Sequence, residues 1–212
     1  MSTCYLTSAY LAPIEYYSKL YNYDKVEIEA FDNYVKQTYR NRCFIGSVNE
    51  KLCLSLPIEK KSGEKCLTRD IRLSDHGNWR RVHSYAIEST YNNTPFYEYY
   101  EDYFIPFYEK KYDFLFDFNE SLREMICDLL DMKPNVSFTS EYLPSEQLDG
   151  KDFREIIHPK KDYLLADPEY RDVNYYQVFE QKWGFRPNLS IIDLLFNMGP
   201  ESILVLRDSM NK

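Results

Sequence analysis

Lys36, Arg40 and Arg42 stand within seven residues of one another, in FDNYVKQTYRNRC (31–43), in a chain whose formal net charge is −8. Interleaved with Tyr34, Gln37, Tyr39 and Asn41, these cations supply the donors that a phosphate or carboxylate needs. If residues 35–40 are helical, Lys36 and Arg40 share a face at i and i+4; if the segment is extended, Arg40 and Arg42 share a side. The competing account is a solvated basic face balanced by Asp32 and Glu29, since charge runs usually meet water.

His83, in WRRVHSYAIESTY, is the acid/base candidate, because imidazole titrates near neutrality. It shares a helix pattern with Arg80 and faces the side of Ile87, which equally suits a satisfied core histidine. Asp193 lies between two apolar pairs, Ile191-Ile192 and Leu194-Leu195. Drawn inward it needs a partner, because an unpaired buried charge is expensive; otherwise it marks a narrow polar face with Ser190 and Asn197. Cys43 beside the cations is either an activated thiol or a buried hydrophobe, and its strand position favours the core. His76 and His158 read as structural or exposed, and nothing in the sequence brings the three histidines together, so no metal ligand set is expected. Phosphate-loop, GxGxxG, HExxH, GxSxG and CxxC motifs are absent, which argues against the commonest NTPase, zinc-protease and hydrolase classes.

The elements that must position these residues begin with a strand over 4–10. A helix follows from Pro13 to about residue 20, carrying Ile14, Tyr17, Leu20 and Tyr21 on one face. A second strand over 23–29 makes a βαβ opening with a parallel, right-handed crossover. The basic stretch directly follows that second strand, where ligands of open α/β sheets tend to bind. Residues 42–48 and 51–58 read as a hairpin turning at Asn49-Glu50, with Leu52, Leu54, Leu56 and Ile58 on one face. Residues 59–69 are expected to be a mobile loop and 69–73 a further strand. Helices are expected over 78–91, through Trp79, Val82, Tyr85, Ala86 and Ile87, and from Thr94-Pro95, carrying Phe96, Tyr99, Tyr100 and Tyr103, to a kink or end at Pro106. A third starts at Asn119, with Leu122, Met125, Ile126, Leu129 and Leu130 at helical spacing. A short strand over 136–139 precedes a loop-rich excursion, about 140–186, punctuated by Pro144, Gly150, Pro159 and Pro168. A helix capped by Asn188 then runs to 197 with Leu189, Ile192, Leu195 and Phe196 inward; Gly199 stops it and Pro200 opens a final helix. The expectation is a single α/β domain spanning 1–212: a small mixed sheet opened by a βαβ unit, with a hairpin, a helical middle region and a helical C-terminus.

Composition bounds the function. With 44% hydrophobic and 28% charged residues in 212, the chain can bury a sizeable core. The 21 Tyr and 13 Phe suit half-buried clefts, as they also suit cores and strands. An acidic balance without a long basic stripe makes duplex nucleic acid an unsuitable partner and leaves an anionic small molecule, such as a single nucleotide, compatible. Five cysteines without paired spacing read as reduced thiols. With neither a signal-peptide pattern nor about 18 uninterrupted apolar residues, the expectation is a cytoplasmic protein with no membrane span.

The runs SAYLAPIEYYSKL and NYVKQTYRNRC, the spaced Trp79, His83, Ile87, Tyr91, Pro95 and Phe96, and PNLSIIDLLFNMGPESI together resemble the WbqC-like protein family over essentially the entire chain. That resemblance implies a role in O-antigen-type surface-polysaccharide biosynthesis, with transfer of a glycine-like amino-acyl group to a sugar or sugar nucleotide. The alternative is a non-catalytic accessory or scaffold role among polysaccharide-assembly proteins. Enzymatic activity is therefore left open, and no cofactor is implied. Carried onto this chain, the resemblance makes Arg40, Asn41 and Arg42, supported by Lys36, the binding group for a sugar nucleotide or activated amino acid. Tyr10 and Tyr91 join that substrate-binding set, with His83 and Asp193 as the catalytic pair. Many family members open with His-x-Pro-x-Tyr-Leu-Pro, whereas here Leu6-Thr7-Ser8-Ala9 precedes Tyr10, without the histidine and the first proline.

Overall fold

The structure is a computed structural model that describes residues 2–48, 51–59 and 65–211. Strand β1 (Thr3–Thr7), helix α1 (Ile14–Asn22) and strand β2 (Lys25–Glu29) form the expected βαβ unit. The two strands run parallel in register from Thr3↔Lys25 to Thr7↔Glu29. Cys4, Leu6, Val26 and Ile28 are fully buried, as suits a parallel sheet covered on both faces.

Two antiparallel pairs follow, β3 (Arg42–Ile45) with β4 (Leu52–Ser55), and β5 (Ile58–Glu59) with β6 (Arg72–Leu73). The helical middle comprises α2 (Trp79–Tyr91), α3 (Tyr97–Glu109) and α4 (Leu115–Leu129). Strands β7 (Val136–Phe138) and β8 (Lys151–Asp152) come next. The chain continues through α5 (Tyr163–Ala166) and α6 (Glu180–Trp183) to α7 (Ile191–Met198) and α8 (Ser202–Asp208). The principal sheet has the order β7-β2-β1-β8 with every pairing parallel. The α/β class with a βαβ opening, hairpin, helical middle and helical C-terminus is what the chain adopts; the antiparallel pairing sits in the two small sheets.

Helix α1 is buried on its polar side as well as its apolar one. Lys19 Nζ lies 2.6 Å from Asp167 Oδ2, both side chains fully buried, and 4.4 Å above the Phe153 ring. Glu15 accepts from Asn188 Nδ2 at 3.0 Å, and burial pushes its carboxyl up to about 8. The excursion and the chain's last quarter are thereby fastened to the first helix.

Several boundaries differ from expectation, each for a local reason. Asn188 does not cap α7. It takes a left-handed φ of 49° and turns its side chain to Glu15, while Ser190 stands at the cap position. Thr94 closes the end of α2 by donating to the Tyr91 carbonyl at 2.6 Å, so α3 starts at Tyr97. It then runs through Pro106 to Glu109. Val82 and Tyr85 lie on the exposed face of α2, which buries Trp79, His83, Ile87, Thr90 and Tyr91 instead. The turn at Asn49-Glu50 lies outside the described residues, as do 60–64 of the expected mobile loop. The remainder of that loop is anchored: Tyr34 N–H donates to the Cys66 carbonyl and Thr68 N–H to that of Asp32, both at 2.9 Å. The excursion contributes β8 to the sheet, paired with β1 at Cys4↔Lys151 and Tyr5↔Asp152.

Candidate functional site

The ends of β2, β1 and β8 converge with the basic stretch. Past β1, Tyr10 N–H donates to the Tyr39 carbonyl at 2.9 Å. Asn119 Nδ2, from α4, reaches Ser8 Oγ at 3.3 Å and the Arg40 carbonyl at 2.8 Å. These bonds lay the Arg40 segment over the carboxyl end of β1. The order β7-β2-β1-β8 puts β2 and β7 on one side of β1 and β8 on the other, so the crevice between the ends of β1 and β8 is the topological switch point where open α/β sheets bind ligands.

Two buried guanidiniums fasten this edge. Arg154 donates to Glu29 Oε2 at 2.8 Å and to the Leu143 carbonyl at 2.9 Å. It also grips both Asp152 oxygens at 2.8 Å. Glu29 ends β2 and Asp152 ends β8, so one side chain spans the strands flanking β1 with the planar fork that suits arginine. Arg40 repeats the span further out: its Nε reaches Asp32 Oδ2 at 3.2 Å, its Nη2 bonds the same oxygen, and Nη2 lies 3.3 Å from Glu155 Oε1. Burial pushes the Asp152 carboxyl up, but bonds from Arg154 and Ser145 outweigh it and hold the group below the usual carboxylate range. A cavity of about 360 Å³ opens here, lined among others by Asp32, Val35, Tyr142, Asp152, Arg154 and Glu155.

Two further polar clusters lie behind α2 and α7. His83 Nδ1 is 2.9 Å from the Tyr10 hydroxyl, which is 2.9 Å from that of Tyr108. Burial drives the His83 imidazole down to about 4 against the pull of the Ser55 backbone, so near neutrality it is uncharged and shares a hydrogen bond with the Tyr10 hydroxyl. Tyr108 in turn lines a cavity of about 490 Å³ beside α2 and α3. Asp193 receives Tyr91 at 2.9 Å, Tyr175 at 2.6 Å and Gln177 at 3.0 Å. Burial raises its carboxyl, with those three donors opposing.

The structure thus brings Tyr10 to His83 and Tyr91 to Asp193, and no described hydrogen bond joins the two clusters. Arg40 is buried and ion-paired. Asn41 is buried, with Nδ2 bonded to the Leu56 carbonyl at 2.9 Å. Arg42 begins β3 half-buried, and Lys36 is exposed. Cys43 is fully buried, and burial pushes its thiol well up. Sequence reasoning treated Asp32 and Glu29 as mere charge balance and assigned nothing to Asp152, Arg154 or Glu155. The signal available was the charged run KDFRE over 151–155, hidden in a stretch read as loop. Among the described residues no three His, Cys, Asp or Glu side chains gather as a metal site, and no helix is long and apolar enough to cross a membrane.

A family model described as the WbqC-like protein family matches residues 8–166 and 154–205. An uncharacterized protein of Mycobacterium tuberculosis (strain H37Rv) is 25% identical over 194 residues, covering 82% of this chain and 84% of that protein. No solved structure matches the chain.

Proposed function

This chain belongs to the WbqC-like protein family, and from that premise we propose that it acts in surface-polysaccharide biosynthesis. In this reading it holds a sugar or sugar nucleotide in the crevice over the ends of β1 and β8 for transfer of a glycine-like amino-acyl group. The supporting observation is the crevice itself: a cavity at the switch point whose walls are fixed by Arg154 and Arg40. Fixed walls lower the ordering cost of binding. Arg40 braces the wall through Asp32 and Glu155, its charge matched by Asp32, while exposed Lys36 and half-buried Arg42, outside the cavity lining, would meet an anionic part of the ligand that extends beyond it. His83 and Asp193 act by positioning, His83 through Tyr10, whose backbone carries the Arg40 segment.

A ligand that binds only the native state raises its melting temperature. In a panel of nucleotide sugars, free sugars and amino-acid derivatives, at least one class should do so. Val35→Trp, which fills the cavity from a half-exposed position, should abolish that shift. A panel without a responder, or a shift that survives Val35→Trp, removes the proposal.

One observation favours the accessory role as second reading: the His83 and Asp193 side chains are themselves buried within hydrogen-bonded clusters, which suits binding without catalysis. A stoichiometric polysaccharide-assembly partner in pull-downs, together with a silent ligand panel, would select it.

A further inference from the structure

We infer that the crevice selects a primary ammonium group, carried by an amino sugar or an amino-acid derivative. This deepens the reading of the crevice as the ligand site. Among the described residues the ion pairs do not balance: the carboxylates of Glu29, Asp32, Asp152 and Glu155 are paired by Arg40 and Arg154, and Lys161, whose Nζ donates to the Glu155 backbone carbonyl at 2.7 Å, does not line the cavity. The guanidinium of Arg154 is committed to Glu29, Asp152 and the Leu143 carbonyl. Both Asp152 oxygens are taken, by Arg154 and by Ser145.

Asp32 is different. Its Oδ2 receives Arg40, but Oδ1 has no partner although the residue is only 7% exposed and lines the cavity. A buried acceptor left open calls for a donor. Glu155, with its side chain 62% exposed, holds Arg40 by one oxygen only and stands on the same cavity.

An ammonium brings three donors and a positive charge to this acceptor-rich, net-negative space. At these carboxylates a phosphate would bring acceptors and the wrong sign, so any phosphate of the ligand lies away from them. Tyr142 and Val35, 53% and 41% exposed, offer apolar surface to the carbon skeleton carrying the amine.

The test is calorimetric titration of the full chain, at slightly acidic pH, with two matched pairs: glucosamine against N-acetylglucosamine, and glycinamide against N-acetylglycinamide. Acetylation removes the charge and two donors and leaves the skeleton. At least one amine should bind on the order of tenfold more tightly than its acetylated partner, and the responding pair identifies the source. Asp32→Asn should abolish that preference. Because Asp32 also holds Arg40, Glu155→Gln at a mostly exposed position is the second variant, expected to weaken amine binding severalfold with an unchanged melting temperature.

Equal binding of amine and acetyl forms, no binding of either amine, or an amine affinity untouched in both variants overturns the inference. A nucleotide-sugar shift that Val35→Trp abolishes, without any amine preference, defeats this inference and leaves the crevice reading standing. No ligand that responds to Val35→Trp defeats both.

Discussion

The carboxyl edge of the sheet and the space behind α2 and α7 bury polar groups to similar depth and treat them oppositely. At the edge, Arg154 and Arg40 are ion-paired with carboxylates. Behind the helices, His83 is driven to its neutral form and the Asp193 carboxyl is raised. Burying a charge is tolerated where an opposite charge and full hydrogen bonding meet it, and otherwise the group neutralises. Charge retained beside a cavity can recognise a ligand. Hydrogen-bonded networks without a paired counter-charge help fix which packing the core adopts.

The sharpest way to break this contrast is to remove one partner on each side. Arg154→Met leaves buried Glu29 and half-buried Asp152 without their counter-charge and should destabilise by roughly 3–5 kcal/mol, read by chemical denaturation. It should also free the 140–186 segment to limited proteolysis. Asp193→Asn keeps the side chain's shape and strands no counter-charge among its hydrogen-bond partners, since Tyr91, Tyr175 and Gln177 are neutral donors, and should cost only about 1–2 kcal/mol. Equal costs for the two variants would erase the distinction. Tyr108→Phe removes the outer hydroxyl of the His83 cluster and should cost about 1 kcal/mol. Lys36→Ala, at an exposed position, should stay within about 0.5 kcal/mol.

The pH dependence separates groups by sign. For His83 the folded value of about 4 lies below the ordinary 6.5, so between them the unfolded chain binds more protons and stability rises with pH. Glu15 is the converse, its folded value of about 8 lying above the ordinary 4.5. The native state keeps that proton longer, and stability falls as pH rises through the window. In thermal melts against pH, His83→Gln should flatten the acid-side rise and Glu15→Gln the fall toward pH 8. Exchanged or absent effects would show that these groups are not held as described.

What the sequence made legible followed from regular periodicity. The βαβ opening, the α4 face of Leu122 and Ile126, and the inward side of α7 all repeat at fixed spacing over enough residues to be read. The carboxyl edge was half legible. Lys36, Arg40 and Arg42 announced themselves by charge, but burial divides them, leaving Lys36 in water and Arg40 enclosed. Charge type does not encode depth. Residues 151–155 were illegible because β8 is two residues long, too short for any alternation, and because its partner strand lies at the other end of the chain. The placements of Asn188 and Thr94 were missed because each satisfies a distant or preceding backbone group in preference to the helix it borders.

The pairing of Cys4 with Lys151 carries a consequence for how the molecule is made. A Cβ on Gly150 would stand 2.5 Å from the Thr3 carbonyl oxygen, so β8 seats against β1 only because that residue has no side chain. Contacts between such distant parts of a chain form late, since loop closure precedes any reward from pairing. A ribosome would release β1, α1, β2 and the whole Arg40 segment long before residues 150–155 emerge. During that interval Arg40 would lack Glu155, Glu29 would lack Arg154, and the crevice would lack a wall. In the proposed reading, the crevice can accept a ligand only after residues 150–155 have emerged and the excursion has docked.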